Sequence, residues 1–188
     1  GVVAGGMVIG LQRLGLTNTF DAVFGTSAGA LAGAYFLSGQ SEEGTSIYYE
    51  HLTGKEFIDF KRPLRKQNLI SIEYLLDEVM DNLKPLDYTK IFESGIPWFP
   101  IATKVSDFQS VALEDFRNSG ELKEALRASS KIPLASGKPV VFRGEKYVDG
   151  SVAEPIPFVS AFDRGYTHIL VLLTRPKGVL KDPVSRLE

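Results

Sequence analysis

Apolar positions in the first half of the chain recur mostly at helical spacing. Over 2–14, Val3, Met7, Val8, Leu11 and Leu14 return at three- and four-residue intervals and stop at Gly15, which predicts a helix. Residues 20–24 are a short apolar run broken by Asp21 and halted by Gly25, which predicts a buried strand. Ala28–Leu37 is dense in Ala and Leu and closes on Gly39, a second helix. Ser41 is placed to cap a third, running through Leu52 with His51 inside it. The strongest amphipathic pattern spans 69–83, where Leu69, Ile72, Leu75, Leu76, Val79, Met80 and Leu83 share one face and Ser71 can cap. Such a stripe is ordinarily core. The functional alternative is a lid over an apolar site or a membrane-facing element.

The second half reads more as strands. Residues 98–105 form an interior strand with Trp98 in the core, and 110–113 pairs with its continuation as a hairpin. A helix over 122–129 is broken by Ile132-Pro133. Strands at 139–142 and 146–148 bracket the turn Arg143-Gly144-Glu145, and the second ends at Asp149-Gly150-Ser151. The continuous apolar run at 169–174 predicts a central strand buried on both faces. Helices alternating with such strands predict an α/β protein with a largely parallel sheet covered on both sides.

Composition narrows the function classes. A chain of 188 residues with no evident linker fits one domain with a substantial core. Hydrophobic content of 44% and charged content of 23% are ordinary for a globular protein. A net charge of −2 offers no basic face for nucleic acid. The absence of cysteine excludes disulfides, zinc–thiolate sites and thiol catalysis, and leaves the compartment open. No apolar run approaches the ~20 residues that span a bilayer, and no signal peptide or repeat is evident. The chain opens at Gly1 inside an ordered element without an initiator methionine and ends Arg186-Leu187-Glu188, so both ends read as cut. One local departure stands out. Lys55, Lys61, Arg62, Arg65 and Lys66 surround Phe57, Ile58 and Phe60, either a solvated loop with aromatic anchors or a basic rim for anionic headgroups.

The chemistry concentrates at Gly25-Thr26-Ser27-Ala28-Gly29, a G-x-S-x-G sequence with a predicted strand before it and a helix after. A serine at so sharp a turn needs flanks without Cβ atoms. Its hydroxyl then stands above the sheet beside free helix N–H groups, which favour developing negative charge. Ser27 is the candidate nucleophile, with Ala28 N–H as an oxyanion donor. A serine needs a base. The order Ser27, Asp149, His168 matches α/β-hydrolases. However, only 26 residues precede Ser27, and His168 stands at the entry of a strand rather than beyond one. His51, among Tyr48, Tyr49 and Leu52, suits a structural role better. Asp149 ends a strand, where α/β sites gather, and Gly150 permits close approach of another backbone. An ordinary Asp-Gly turn would look the same.

The elbow, together with Arg127-Ala128-Ser129-Ser130-Lys131-Ile132-Pro133, Tyr147-Val148-Asp149-Gly150-Ser151 and Glu154-Pro155-Ile156-Pro157, resembles the patatin-like phospholipases. The resemblance is closest to the bacterial branch and runs from Gly1 to about Pro176. It implies a three-layer α/β/α acyl hydrolase acting on phospholipids, lysophospholipids or neutral lipids, with no cofactor and no metal. It also implies Ser27 as nucleophile and Asp149 as base, without a catalytic histidine. Lipid or acyl-ester substrates, transient membrane-surface contact, no nucleic-acid partner and a bacterial cytoplasmic location follow as expectations. An acyltransferase sharing the acyl-enzyme and a silent lipid-binding module remain as alternatives. Two departures stand against the pattern. The family has a strand and a loop, G-G-G-x-K/R-G, ahead of the first helix, whose N–H groups form the oxyanion hole. Gly1 fits its last glycine and the others are absent, so weak catalysis is expected, since one lost oxyanion donor costs about a hundred- to a thousandfold. Ser151 stands where the family has Gly or Ala, a change the turn tolerates.

Overall fold

The run at 98–105 becomes the spine of the fold. A computed structural model describes residues 1–174, and within them strand β2 (Trp98–Lys104) is buried from Trp98 through Thr103. Around it lie β1 (Val23–Thr26), β3 (Ser110–Ala112), β4 (Val140–Phe142) and β5 (Glu145–Asp149). The sheet is mixed. β1 pairs parallel to β2, whereas β3 and β5 pair antiparallel to β2 and β4 antiparallel to β5. Ile101 faces Thr26 and Ala112, and the next residue, Ala102, faces Val111 and Asp149. β3 therefore takes one edge of β2, and β1 and β5 follow one another along the opposite edge. Because β1 runs with β2 and β5 against it, their C-terminal ends converge beside Ile101 and Ala102. The β4–β5 hairpin turns through Arg143 and Gly144, at φ 48° and 82°, the left-handed pair a two-residue hairpin requires.

Helices cover both faces. On one, α2 (Ala28–Leu37) lies on β1 and β2, packed against α1 (Val2–Arg13), α3 (Ser41–Glu50) and α5 (Ser119–Ser130). Gly33 lets α2 approach, since a Cβ there would stand 2.9 Å from Val23 and 3.2 Å from the Trp98 indole nitrogen. The short α4 (Tyr88–Glu93) contributes Ile91 to the same core. On the other face Phe24 stacks on Phe99 at 4.5 Å, with Tyr166 edge-on to Phe24 and the Arg164 guanidinium 4.6 Å from the Phe99 ring. These last two residues follow α6 (Phe158–Asp163), which completes a three-layer α/β/α arrangement.

Several expectations shift. The first strand begins at Val23 rather than Phe20, whose ring packs edge-on against Phe36 instead. Ser41 is the first residue of α3 and not its cap. Its N–H donates to Gln12 Oε1, and its buried hydroxyl has no partner among the described residues. His51 follows α3 rather than lying within it. The amphipathic segment does start at Ser71, whose Oγ accepts the Tyr74 N–H at 3.1 Å. It then widens into a π-helix over Tyr74–Leu83. Leu75, Leu76, Val79 and Met80 all turn inward and join the core, so the stripe is core and not a lid. The run at 169–174 forms no strand among the described residues. No neighbouring strand pairs with it, and Leu170 and Leu173 are exposed. It lies across a cavity of 820 Å³ from the outer edge of β1.

Two predictions follow from this packing. A Cβ on Gly25 would stand 2.5 Å from the Gly29 carbonyl oxygen and 2.6 Å from the Ala30 backbone, while one on Gly29 meets nothing within 4 Å. Gly25→Ala should cost about 1–3 kcal/mol in urea unfolding, whereas Gly29→Ala should be neutral or stabilising by up to about 1 kcal/mol. The second concerns acid. Hydrogen bonds from the Arg117 and Arg143 guanidinium groups pull the Glu121 carboxyl from 4.5 down to about 2. Folded-state depression means this contribution is complete above pH 4.5 and is lost as pH falls toward 2. Glu121→Gln should remove that part of the slope in urea midpoints measured across the window.

Candidate active site

β1 ends at Thr26 and α2 begins at Ala28, so a single residue turns the chain. That residue, Ser27, adopts φ 53° and ψ −119°, a left-handed conformation that persists only where its surroundings hold it. Three things do. Gly25 admits the backbone of Gly29 and Ala30 against the strand. The Ser27 carbonyl accepts the N–H groups of Ala30 and Leu31. Its own N–H donates to Ser129 Oγ at 3.0 Å, and that hydroxyl donates to the Ile101 carbonyl at 2.6 Å. The Ala28 and Gly29 N–H groups donate no main-chain hydrogen bond among the described residues, as the first turn of a helix dictates. The half-buried Ser27 hydroxyl has no hydrogen-bond partner among them either.

Asp149 closes β5 at 2% exposure. Its N–H donates to the Lys131 carbonyl at 2.9 Å, and its own carbonyl accepts Thr103 Oγ1 at 3.0 Å. Oδ1 accepts the Ser151 N–H at 2.8 Å, which leaves Oδ2 without a partner among the described residues. Gly150 is required. A Cβ there would stand 2.2 Å from the Ile101 oxygen and 3.0 Å from the Thr26 methyl. Thr26 and Asp149 pair with consecutive residues of β2, so they are separated by about 3.3 Å along it. The residue after Thr26 is Ser27, so the elbow and the Asp-Gly turn face each other across one carbonyl. No hydrogen bond joins the Ser27 hydroxyl to the Asp149 carboxylate.

The other expected groups fall into place unevenly. Gly1, Gly25, Ala28 and Gly29 border the 820 Å³ cavity. Gly1 is pressed against Tyr48, where a Cβ would come within 2.0 Å of the ring, and the Tyr48 hydroxyl donates to the Ala28 carbonyl at 3.1 Å. Burial pushes the Tyr48 phenol well above its ordinary range. Gly29 has no steric need to be glycine. Neither imidazole hydrogen-bonds to Ser27 or Asp149. His168 is exposed with Nδ1 3.0 Å from Thr167 Oγ1, and His51 lies 3.8 Å from the Glu50 carboxylate.

Sequence reasoning assigned no roles to Ser129, Thr103, Lys131 and Glu154. Ser129 and Lys131 lie in the 127–133 segment, which was legible as a motif but silent about its bonds. Glu154 is buried yet enters no ion pair among the described residues. Its carboxylate accepts Ser110 Oγ at 2.5 Å and both the N–H and hydroxyl of Ser160, while its carbonyl accepts Thr26 Oγ1 at 2.9 Å.

Comparison with known proteins identifies the family. The family model described as patatin-like phospholipase matches residues 1–162. YjjU of Escherichia coli (strain K12) is 28% identical over 88% of this chain and 46% of its own length. The human 1-acylglycerol-3-phosphate O-acyltransferase PNPLA3 is 32% identical over 74% of the chain and 28% of its own length. The mouse omega-hydroxyceramide transacylase is 28% identical over 71% and 22% respectively. The chain thus spans less than half the length of these curated relatives. With most of its residues matched by one family model, the chain belongs to the patatin-like phospholipase family.

Proposed function

We propose that this protein is a serine acyl hydrolase of the phospholipase A, lysophospholipase or lipid esterase type, built on one domain and using a Ser27–Asp149 dyad. The observation that carries the reading is the convergence of the strained elbow and the Asp-Gly turn on the Ile101 carbonyl. Ser27 Oγ attacks the ester carbonyl as Asp149 takes its proton through the unengaged Oδ2. The developing oxyanion rests on N–H groups at the α2 N-terminus, Ala28 foremost. The carbon–oxygen bond to the alcohol breaks, the proton passes from Asp149 to the leaving oxygen, and an acyl-serine remains. Water deprotonated by Asp149 then releases the fatty acid. This sequence calls on no metal or cofactor. His168, exposed and beside Thr167 Oγ1, lends no support to a Ser27–Asp149–His168 triad. Ser129 is a positioning residue here, since it holds the nucleophile's own amide.

The acyltransferase reading has its own support, because two relatives are named for transfer to an alcohol acceptor or between lipids. The acyl-enzyme is common to both, and only the acceptor differs. Product analysis with added lysophosphatidic acid separates them, transfer appearing as diacylated product in place of free acid. A silent lipid-binding module would give neither.

In the full-length protein, Ser27→Ala and Asp149→Asn should each lower hydrolysis of a long-chain p-nitrophenyl ester by about a thousandfold or more with unfolding midpoints retained. His168→Ala should leave the rate unchanged. Activity surviving both dyad substitutions would reject the mechanism. Ser129→Ala should lower kcat about 10- to 100-fold with KM little changed, as loss of orientation rather than of binding.

A further inference from the structure

The described residue segment 55–66 carries five basic and two acidic side chains in a chain of net charge −2. Its fold is set from within. The Arg62 guanidinium donates to the carbonyls of Lys55 at 2.7 Å and Glu56 at 2.8 Å, which folds the segment on itself. Asp59 Oδ1 is taken by the Lys61 N–H at 2.8 Å. An antiparallel bridge between Ile58 and Ile70 closes the base. Arg62 is thereby spent on structure. Lys55, Lys61, Arg65 and Lys66 are exposed and enter no ion pair among the described residues.

Phe60 and Leu64, exposed and apolar, stand among these cations along the chain. Leu134, Leu64 and Phe60, at 103%, 86% and 79% exposure, exceed every other large apolar side chain described. Leu134 comes from a different loop, and that loop is stitched to the first. Ile70 N–H donates to the Ala135 carbonyl at 2.9 Å, and the Asn68 amide donates to the Ser136 carbonyl at 3.2 Å. Leu134 also holds φ 65°, a conformation costly for leucine, while its side chain stands fully exposed. The same loop leads back to the site. Lys131, whose carbonyl holds the Asp149 N–H, is three residues from Leu134, so their Cα atoms lie within about 11 Å. Two residues further back is Ser129.

We propose that the joined 55–70 and 132–137 loops form a docking surface for an anionic phospholipid bilayer, with Phe60, Leu64 and Leu134 entering the interface and Lys55, Lys61, Arg65 and Lys66 meeting lipid phosphates. The occupant follows from charge complementarity. Apolar side chains standing singly amid unpaired cations match a surface with anionic headgroups above hydrocarbon, and not a continuous apolar partner face. The inference deepens the lipid acyl-ester reading, because it sets that surface beside the Asp149 turn. Substrate would then reach the cleft from the plane of the membrane.

The test uses full-length protein carrying Ser27→Ala, so that vesicles are not consumed. Co-sedimentation compares phosphatidylcholine vesicles with vesicles containing about one third phosphatidylglycerol, each near-surface Lys or Arg being worth about fivefold in partitioning. Strong binding to the anionic vesicles only, falling as salt rises, is expected. Lys61→Glu/Arg65→Glu/Lys66→Glu should lower it by about a hundredfold or more, and Leu64→Ser/Leu134→Ser by about tenfold or more. With the native Ser27 restored, these triple and double variants should leave hydrolysis of a soluble short-chain ester at its wild-type rate. Equal binding to both vesicle types, no binding to anionic vesicles, or undiminished binding by the charge-reversed variant would overturn the proposal. Failure of the dyad appears only in the soluble ester assay and failure of the surface only in sedimentation, so the two are separable.

Discussion

Two strands arrive end to end on one edge of β2, and the carbonyl of Ile101 stands in the gap between them. A carbonyl at such a junction has lost the ladder partner a longer strand would supply, and a buried acceptor left unpaired is costly. Here Ser129 donates to it from the last turn of α5 at 2.6 Å. The same oxygen atom of Ser129 receives the Ser27 N–H. One hydroxyl therefore satisfies the sheet and fastens the elbow. The positive φ of Ser27 is tolerable because main-chain and side-chain bonds fix the backbone on both sides of it.

The rest of the site is arranged by what surrounds this junction. Gly25 lets α2 close on β1, and Gly150 lets the chain after β5 close on Ile101. Thr103 receives the Ala153 N–H and donates to the Asp149 carbonyl, so the turn after the carboxylate is braced by a fully buried hydroxyl of the central strand. Lys131 adds a longer tie. Its buried ammonium meets Glu73 at 2.5 Å, holding that carboxyl below its ordinary range although burial opposes it. The bond links the start of the π-helix region to the residue that anchors Asp149.

Local chemistry was legible in the sequence, and its partners were not. The Gly25–Gly29 pattern announced a strand, a turn and a helix because strain, glycine and helix propensity all act within a few residues. The same holds for β2, for the Arg143-Gly144 turn and for Asp149 at a strand end. Ser129 could not be linked to Ser27 in this way, since 102 residues separate them and a serine in a helix carries no periodic signal. The π-helix was hidden because an amphipathic stripe looks alike at neighbouring periods until packing decides which residues turn inward. The stretch at 169–174 misled for a related reason. Its apolar run meets the composition of a central strand, but a strand exists only where a neighbour supplies hydrogen bonds, and among the described residues none does.

The closest contacts at Gly25 and Gly150 are main chain against main chain, with no flexible side chain between. A gap of that kind cannot be retuned by repacking the core. Sequence drift in the surrounding apolar residues would erode stability well before it altered the spacing of the elbow and the Asp-Gly turn. The architecture thus separates what evolution can vary, the surface loops, from a geometry it can only keep or lose.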